Sequence, residues 1–175
     1  MITIIIGTDR PNSRARRVAV IYADLLKSQG ADCQLLDLTD LPSDFITSAL
    51  YANTGQHDGF NELFELTNNA DKLVFVVPEY NGSFPGVLKA FIDGLPYPGG
   101  IRGKKAALIG ISTGVQGGIL ALSHLTDILM YLGTAVLPAR VRLPAIDKYL
   151  GEDGKLTNPL YQQLLEEQVT QLLAF

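Results

Sequence analysis

The chain has one cysteine, Cys33, among 175 residues. No intrachain disulfide can form, so the core must hold the fold, which fits a reducing compartment. Charge is also sparse. Asp, Glu, Lys and Arg make up 18% of residues and the net charge is −4, with a pI of about 5.1. There is no basic stripe of the kind nucleic acid demands, and the cluster Arg10, Arg14, Arg16 and Arg17 is the one local exception. No apolar run approaches the ~20 residues needed to span a bilayer, so no membrane partner is expected. The opening MITIIIGTDR has no basic region before its short apolar run. It does not read as a signal peptide, and the cytoplasm is the expected compartment. His57 and His124 sit in no spacing with Cys or Asp that suggests a metal, and neither is expected to be a catalyst. A Gly-Lys-Ser/Thr phosphate loop and a G-x-G-x-x-G fingerprint are missing, which argues against a P-loop nucleotidase and a dinucleotide-binding dehydrogenase.

The chain is 47% hydrophobic, enough for one domain, residues 1–175, with a full core. Low charge fits a sheet buried on both faces, whose strands read as continuous apolar runs. Such runs are expected at Ile2–Ile6, at about Asp32–Leu38, at Lys72–Val77, at Lys105–Ser112 and at about Ala135–Leu143. Between them lie segments of helical spacing. The first runs from Arg14 to about Gln29, with Ala15, Val18, Ala19, Tyr22, Leu25 and Leu26 on one face. Others are expected from Phe60 to near Ala70, after Ser83-Phe84-Pro85, over about Ile119–Leu132, and from Asn158-Pro159, a cap followed by proline. Residues 39–59 read as a polar loop with a short helix. No repeat or linker divides the chain. Strands alternating with helices predict a parallel sheet with helices on both faces. The expected fold is a flavodoxin-like, doubly wound three-layer α/β sandwich, a five-stranded parallel sheet in the order 2-1-3-4-5.

In such a fold a ligand sits beyond the carboxyl ends of the strands, where the strand order reverses. Three loops reach that place. The first, Gly7 to Ser13 (GTDRPNS), offers hydroxyls at Thr8 and Ser13, the Asn12 amide and the Arg10 guanidinium. The backbone N–H groups of the following helix add partial positive charge, so a phosphate monoester would be satisfied there. Capping by Asn12 and Ser13 accounts for part of this loop, but capping does not call for Arg10. Asp9 is expected to point outward, and Arg16 and Arg17 to form a solvated face. The second loop follows the third strand and reads Pro78-Glu79-Tyr80-Asn81-Gly82-Ser83. Tyr80 is suited to lie along an aromatic ring. Backbone N–H groups from Glu79 to Gly82 are suited to face ring heteroatoms, and Gly82 permits close approach. A loop aromatic followed by a capping serine does not account for the whole string. The third loop, Ser112 to Gly118 (STGVQGG), suits close approach to a flat ligand and equally suits an ordinary glycine-rich turn.

The stretch PEYNGSFPGVLKAFIDG resembles the signature of the NADPH-dependent FMN reductases, flavodoxin-like flavoproteins that include azo-, quinone- and chromate-reducing enzymes. The first loop is similar to their Gly-Ser-x-Arg-x-x-Ser element, with Thr8 in place of serine. The third resembles their Ser-x-Gly-x-x-Gly-Gly turn, and EDGKLTN before the last helix is similar to theirs. The resemblance covers nearly the whole chain. It implies an FMN cofactor with its phosphate held by Thr8, Arg10 and Ser13. By the same resemblance, Pro78, Glu79, Tyr80, Asn81, Gly82 and Ser83 would border the ribityl chain and ring. Ser112, Thr113, Gly114 and Gly117 would close the other side. Many members carry asparagine two residues after the loop serine, where this chain has Ala15. One phosphate hydrogen bond, worth ~1.5–3 kcal/mol, is therefore expected to be absent, and Arg14 is a candidate to replace it.

The implied activity is ping-pong hydride transfer from NADPH or NADH, a transient co-substrate, to a quinone, azo, flavin or metal-ion acceptor. The flavin does the chemistry, so no dedicated catalytic side chain is expected. A homodimer or homotetramer is the implied assembly. Two other readings are a flavodoxin-like FMN electron carrier and a non-catalytic flavin-binding module. The modest net charge and the Tyr-Asn-Gly-Ser string favour the reductase.

Overall fold

Every residue of β1 (Ile2–Ile6) is buried, as its wholly β-branched, mostly apolar sequence requires of a central strand. The computed structural model describes residues 1–175, and its elements follow in the order α1 (Arg14–Ser28), β2 (Cys33–Asp37), α2 (Phe45–Ser48), α3 (Asp58–Asn68), β3 (Lys72–Pro78), α4 (Gly86–Gly94), β4 (Lys105–Ile111), α5 (Ile119–Tyr131), β5 (Ala135–Val136), β6 (Val141–Leu143), α6 (Ile146–Tyr149) and α7 (Pro159–Ala174). The strands pair in the order β2-β1-β3-β4-β5, with β6 also against β4, and all pairs are parallel.

The side-chain period of two sorts the sheet into two cores. Ile4, Ile6, Val74 and Val76 face α1 and α7, where they meet Val18, Tyr22, Leu165 and Val169. Ile5, Leu73, Phe75 and Val77 face the other way, onto Phe60 of α3, Leu88 and Phe91 of α4, and Leu125 of α5. The helix after β1 and the helix after β3 thus lie on opposite faces of the sheet.

The fifth strand expected over Ala135–Leu143 is two short strands. Leu137 still donates to the Ala106 carbonyl of β4 at 2.8 Å, but Pro138 has no N–H to give to a ladder, and the chain departs from β4 over residues 138–140. Buried Gln168 of α7 repairs the gap by donating to the carbonyls of Leu108 (3.0 Å) and Ala139 (2.6 Å). The segment between β2 and α3 contains α2 and two single-turn 3₁₀ helices, Leu38–Asp40 and Tyr51–Asn53. Phe45, Ala49 and Leu50 are buried there, so the polar sequence conceals an apolar flap. Helix α3 begins two residues before the expected Phe60 because the His57 ring accepts from the Phe60 N–H at 3.2 Å.

Arg16 is exposed, as expected, and Arg17 half-buried, but both also have partners in the chain. Arg16 pairs with Asp37, which is buried at the end of β2, and Arg17 donates to the carbonyl of Gly151. Both partners are remote in sequence, and both bonds fix the start of α1 against its surroundings.

Candidate active site

Where β1 and β3 end side by side, α1 turns to one face and α4 to the other. A cleft of about 730 Å³ opens between the departing chains. Gly7 holds the strand ends together. Its N–H donates to Val76 at 2.9 Å, and a Cβ there would stand 3.1 Å from the same oxygen and 3.2 Å from Leu88 Cδ2.

Thr8, Arg10 and Ser13 all line the cleft, but they differ in what they have to offer. Thr8 is fully buried. Its hydroxyl accepts from the Arg10 N–H at 3.2 Å and lies 2.9 Å from the Tyr80 hydroxyl. It is therefore a tie between the first and second loops. Ser13 caps α1, its hydroxyl accepting from the Arg16 N–H at 3.2 Å. Asn12 takes a positive φ of 53°, which turns the loop into the helix. The N–H groups of Ser13, Arg14 and Ala15 find no acceptor in the chain, as the first turn of any helix requires. Arg10 and Arg14 border the same space without an ion pair. Asp9 is exposed and lies outside the cleft. Ala15 is fully buried and contributes only an apolar floor.

The second loop is a two-residue hairpin. Tyr80 and Ser83 exchange both backbone bonds, at 2.8 and 3.0 Å. Asn81 and Gly82 occupy the turn with φ of 51° and 74°, the geometry that Asn-Gly favours. Pro78, Glu79, Tyr80 and Asn81 line the cleft, whereas Gly82 and Ser83 lie beside it. Two of the four N–H groups expected to face a ligand are committed, since Glu79 donates to Ile111 and Tyr80 to Ser83. Those of Asn81 and Gly82 remain unpaired at the tip. Ser83 is not a helix cap; Pro85 occupies that position. The Ser83 hydroxyl instead lies 2.9 Å from His124 Nδ1 on α5.

In the third loop, Ser112 and Thr113 line the cleft and Gly114 and Gly117 do not. The Ser112 hydroxyl donates to Gly114 and accepts from the Gly117 N–H, both at 2.9 Å, and so folds the loop on itself. The two readings of its glycines are separated by packing. A Cβ on Gly117 would lie 3.0 Å from Arg142 Cβ and from Pro144 Cδ, and one on Gly118 3.3 Å from the Gly110 Cα. Gly117 and Gly118 serve close approach within the chain, whereas a Cβ on Gly114 would meet nothing within 4 Å. Gly110 of β4 was not foreseen, yet its Cβ would stand 2.5 Å from the Gly117 carbonyl. Ile146 of α6 also reaches the cleft wall. Nothing in the local sequence marks it, because α6 arrives from beyond the sheet edge.

The donor set fits a phosphorylated flat ligand. Free helix N–H groups and two unpaired guanidinium groups gather at one end, and a hairpin with two free N–H groups stands at the other. The sequence profile of the NADPH-dependent FMN reductases matches residues 1–146. The chain belongs to that family. A 2-hydroxy-1,4-benzoquinone reductase from Burkholderia sp is 33% identical over 78% of this chain and 73% of its own length. An NADPH azoreductase from Bacillus sp. (strain OY1-2) is 30% identical over 95% of this chain and 89% of its own. Among solved structures, the flavoenzyme NAD(P)H:(acceptor) oxidoreductase FerB from Paracoccus denitrificans superposes with a TM-score of 0.81 at 26% identity, covering 99% of this chain and 94% of that one. An archaeal flavodoxin shares the fold, with a TM-score of 0.64 at 11% identity, covering 99% of this chain and 97% of its own.

The Thr8–Tyr80 bond predicts that Tyr80→Phe lowers stability by about 0.5–1.5 kcal/mol. Urea unfolding with an unchanged m-value measures this, and an unchanged midpoint would show that the two loops are not tied.

Proposed function

We propose that this member of the family is an FMN-dependent NAD(P)H oxidoreductase whose acceptor is a small quinone or azo compound. The observation that carries the proposal is the meeting, in one cleft at the β1/β3 switch, of the α1 N-terminus with Arg10 and of the Asn81–Gly82 hairpin. Bound FMN would supply hydride and electron transfer between a nicotinamide and the acceptor.

The residues divide the work. Arg10, the N–H groups from Ser13 to Ala15 and the partial charge of α1 hold the phosphate, with Arg14 beside them. Thr8 and Ser13 shape that end by fixing the loop and the helix start. Pro78, Glu79 and Tyr80 border the middle of the cleft. The N–H groups of Asn81 and Gly82 are fixed donors that favour negative charge gained by a ring on reduction, so no acid side chain is needed. Thr113 closes the opposite edge, and Ser112, Gly114 and Gly117 hold it in place. NADPH or NADH would dock over the open face of the cleft, leave, and be replaced by the acceptor.

A second copy of the chain would cover that open side. Exposed Leu120 of α5 borders the hairpin, its Cδ1 3.9 Å from where a Gly82 Cβ would be, and exposed Tyr97 and Tyr131 line a groove of about 420 Å³ between α4 and α5. An apolar patch of this kind beside a site marks an interface, and we assign it to a homodimer or a homotetramer built from it. No helix is long and apolar enough to cross a membrane. The lone cysteine has nothing to gain from an oxidising compartment, and we place the protein in the cytoplasm.

Purified protein with FMN is expected to oxidise NADPH or NADH in the presence of a benzoquinone, with parallel double-reciprocal lines. FMN binding without such oxidation would make the chain an electron carrier. Arg10→Ala should weaken FMN about tenfold or more while leaving riboflavin, which has no phosphate, within twofold; an equal loss for both would move the phosphate elsewhere. Sedimentation at micromolar concentration should give a dimer or tetramer that Tyr131→Asp dissociates, and a wild-type monomer would contradict the assembly.

A further inference from the structure

His124 lies outside all three loops, in the second turn of α5, and nothing in its own sequence neighbourhood marks it. Its ring nitrogen Nδ1 stands 2.9 Å from the Ser83 hydroxyl. Leu120, one turn earlier on the same face of α5, brings its Cδ1 to 3.9 Å from where a Gly82 Cβ would be. Two side chains of one helix therefore back the hairpin, one under its turn and one at its last residue. The first residue of the hairpin is held independently, by the bond from the Tyr80 hydroxyl to Thr8.

A bridge of one residue pair around a two-residue turn has little stability of its own in water. The free donors at its tip are useful only if the turn does not move, because a donor that must be ordered on binding contributes less than one already in place. We infer that His124 is a positioning residue: by holding Ser83 it fixes the Asn81 and Gly82 N–H groups against the ligand ring. In the Nε2–H tautomer the serine hydroxyl donates to Nδ1, and the ring needs no charge for this role. The helix that carries His124 starts directly from Gly118 of the third loop, so the pin also ties the two walls of the ring end together. This rests on the flavin assignment above.

The test uses the whole protein with FMN and reads two quantities, the Kd from flavin fluorescence quenching and the midpoint potential of the bound flavin. His124→Ala and Ser83→Ala should each weaken FMN about three- to tenfold, the worth of one hydrogen bond. Both should shift the potential in the same direction by similar amounts. The double variant should be no worse than either single one, because both remove the same bond. His124→Asn, whose side-chain oxygen can take the place of Nδ1, should restore wild-type values. A role confined to stability would move the melting temperature and leave the potential where it was. His124→Ala indistinguishable from wild type in both readouts, or additive losses in the double variant, would overturn the inference while leaving the flavin assignment standing. Failure of the wild type to bind FMN would overturn both.

Discussion

β1 and β3 run side by side and in register, from Ile2 against Lys72 to Ile6 against Val76, and their chains then part to opposite faces of the sheet. Parallel strands need crossovers, and right-handed crossovers on both sides of a central strand leave a gap where the direction of winding reverses. No side chain has to be removed to make the cleft; it is what remains when two helices leave neighbouring strand ends for different faces. Gly7 keeps those ends close enough that both loops overhang the same space. The first and second loops, with the groups they carry, are placed by this one pairing.

What lines the gap is mostly backbone. Helix α1 arrives with unpaired N–H groups because every helix does, and the Asn81–Gly82 turn leaves two more because a two-residue hairpin bonds only its flanking pair. Side chains act mainly on these backbone donors. Ser13 caps, Arg16 anchors α1 to buried Asp37, Tyr80 and His124 brace the hairpin, and Ser112 folds the third loop on itself. An arrangement of this kind suits a cofactor that carries its own chemistry and asks its protein for position and a field of fixed dipoles.

The strands β1 to β4 and the helices packed on them were legible because their apolar periods are long and unmixed. The fifth strand was not read correctly, since Pro138 breaks a run whose composition is otherwise that of a strand. Nothing local announces Asp37 or Gly151 as the partners of Arg16 and Arg17. The switch-point rule locates the loops, but it does not show which of their groups also have partners within the chain. The Thr8 hydroxyl, the Ser83 hydroxyl and the Tyr80 N–H are all engaged within the chain. Asn-Gly between Tyr80 and Ser83 is a hairpin signal in its own right, and it would have shown which N–H groups stay free. His124 could not have been found this way, because its partner lies 41 residues away.

Amide chemical shifts, followed in the isotope-labelled protein as FMN is added, test the arrangement most directly. The account predicts that the largest changes fall on the amides of Ser13, Arg14 and Ala15 and on those of Asn81 and Gly82. Riboflavin should move the second set and spare the first. Changes centred instead on the Pro96–Gly103 loop and the groove between α4 and α5 would contradict it.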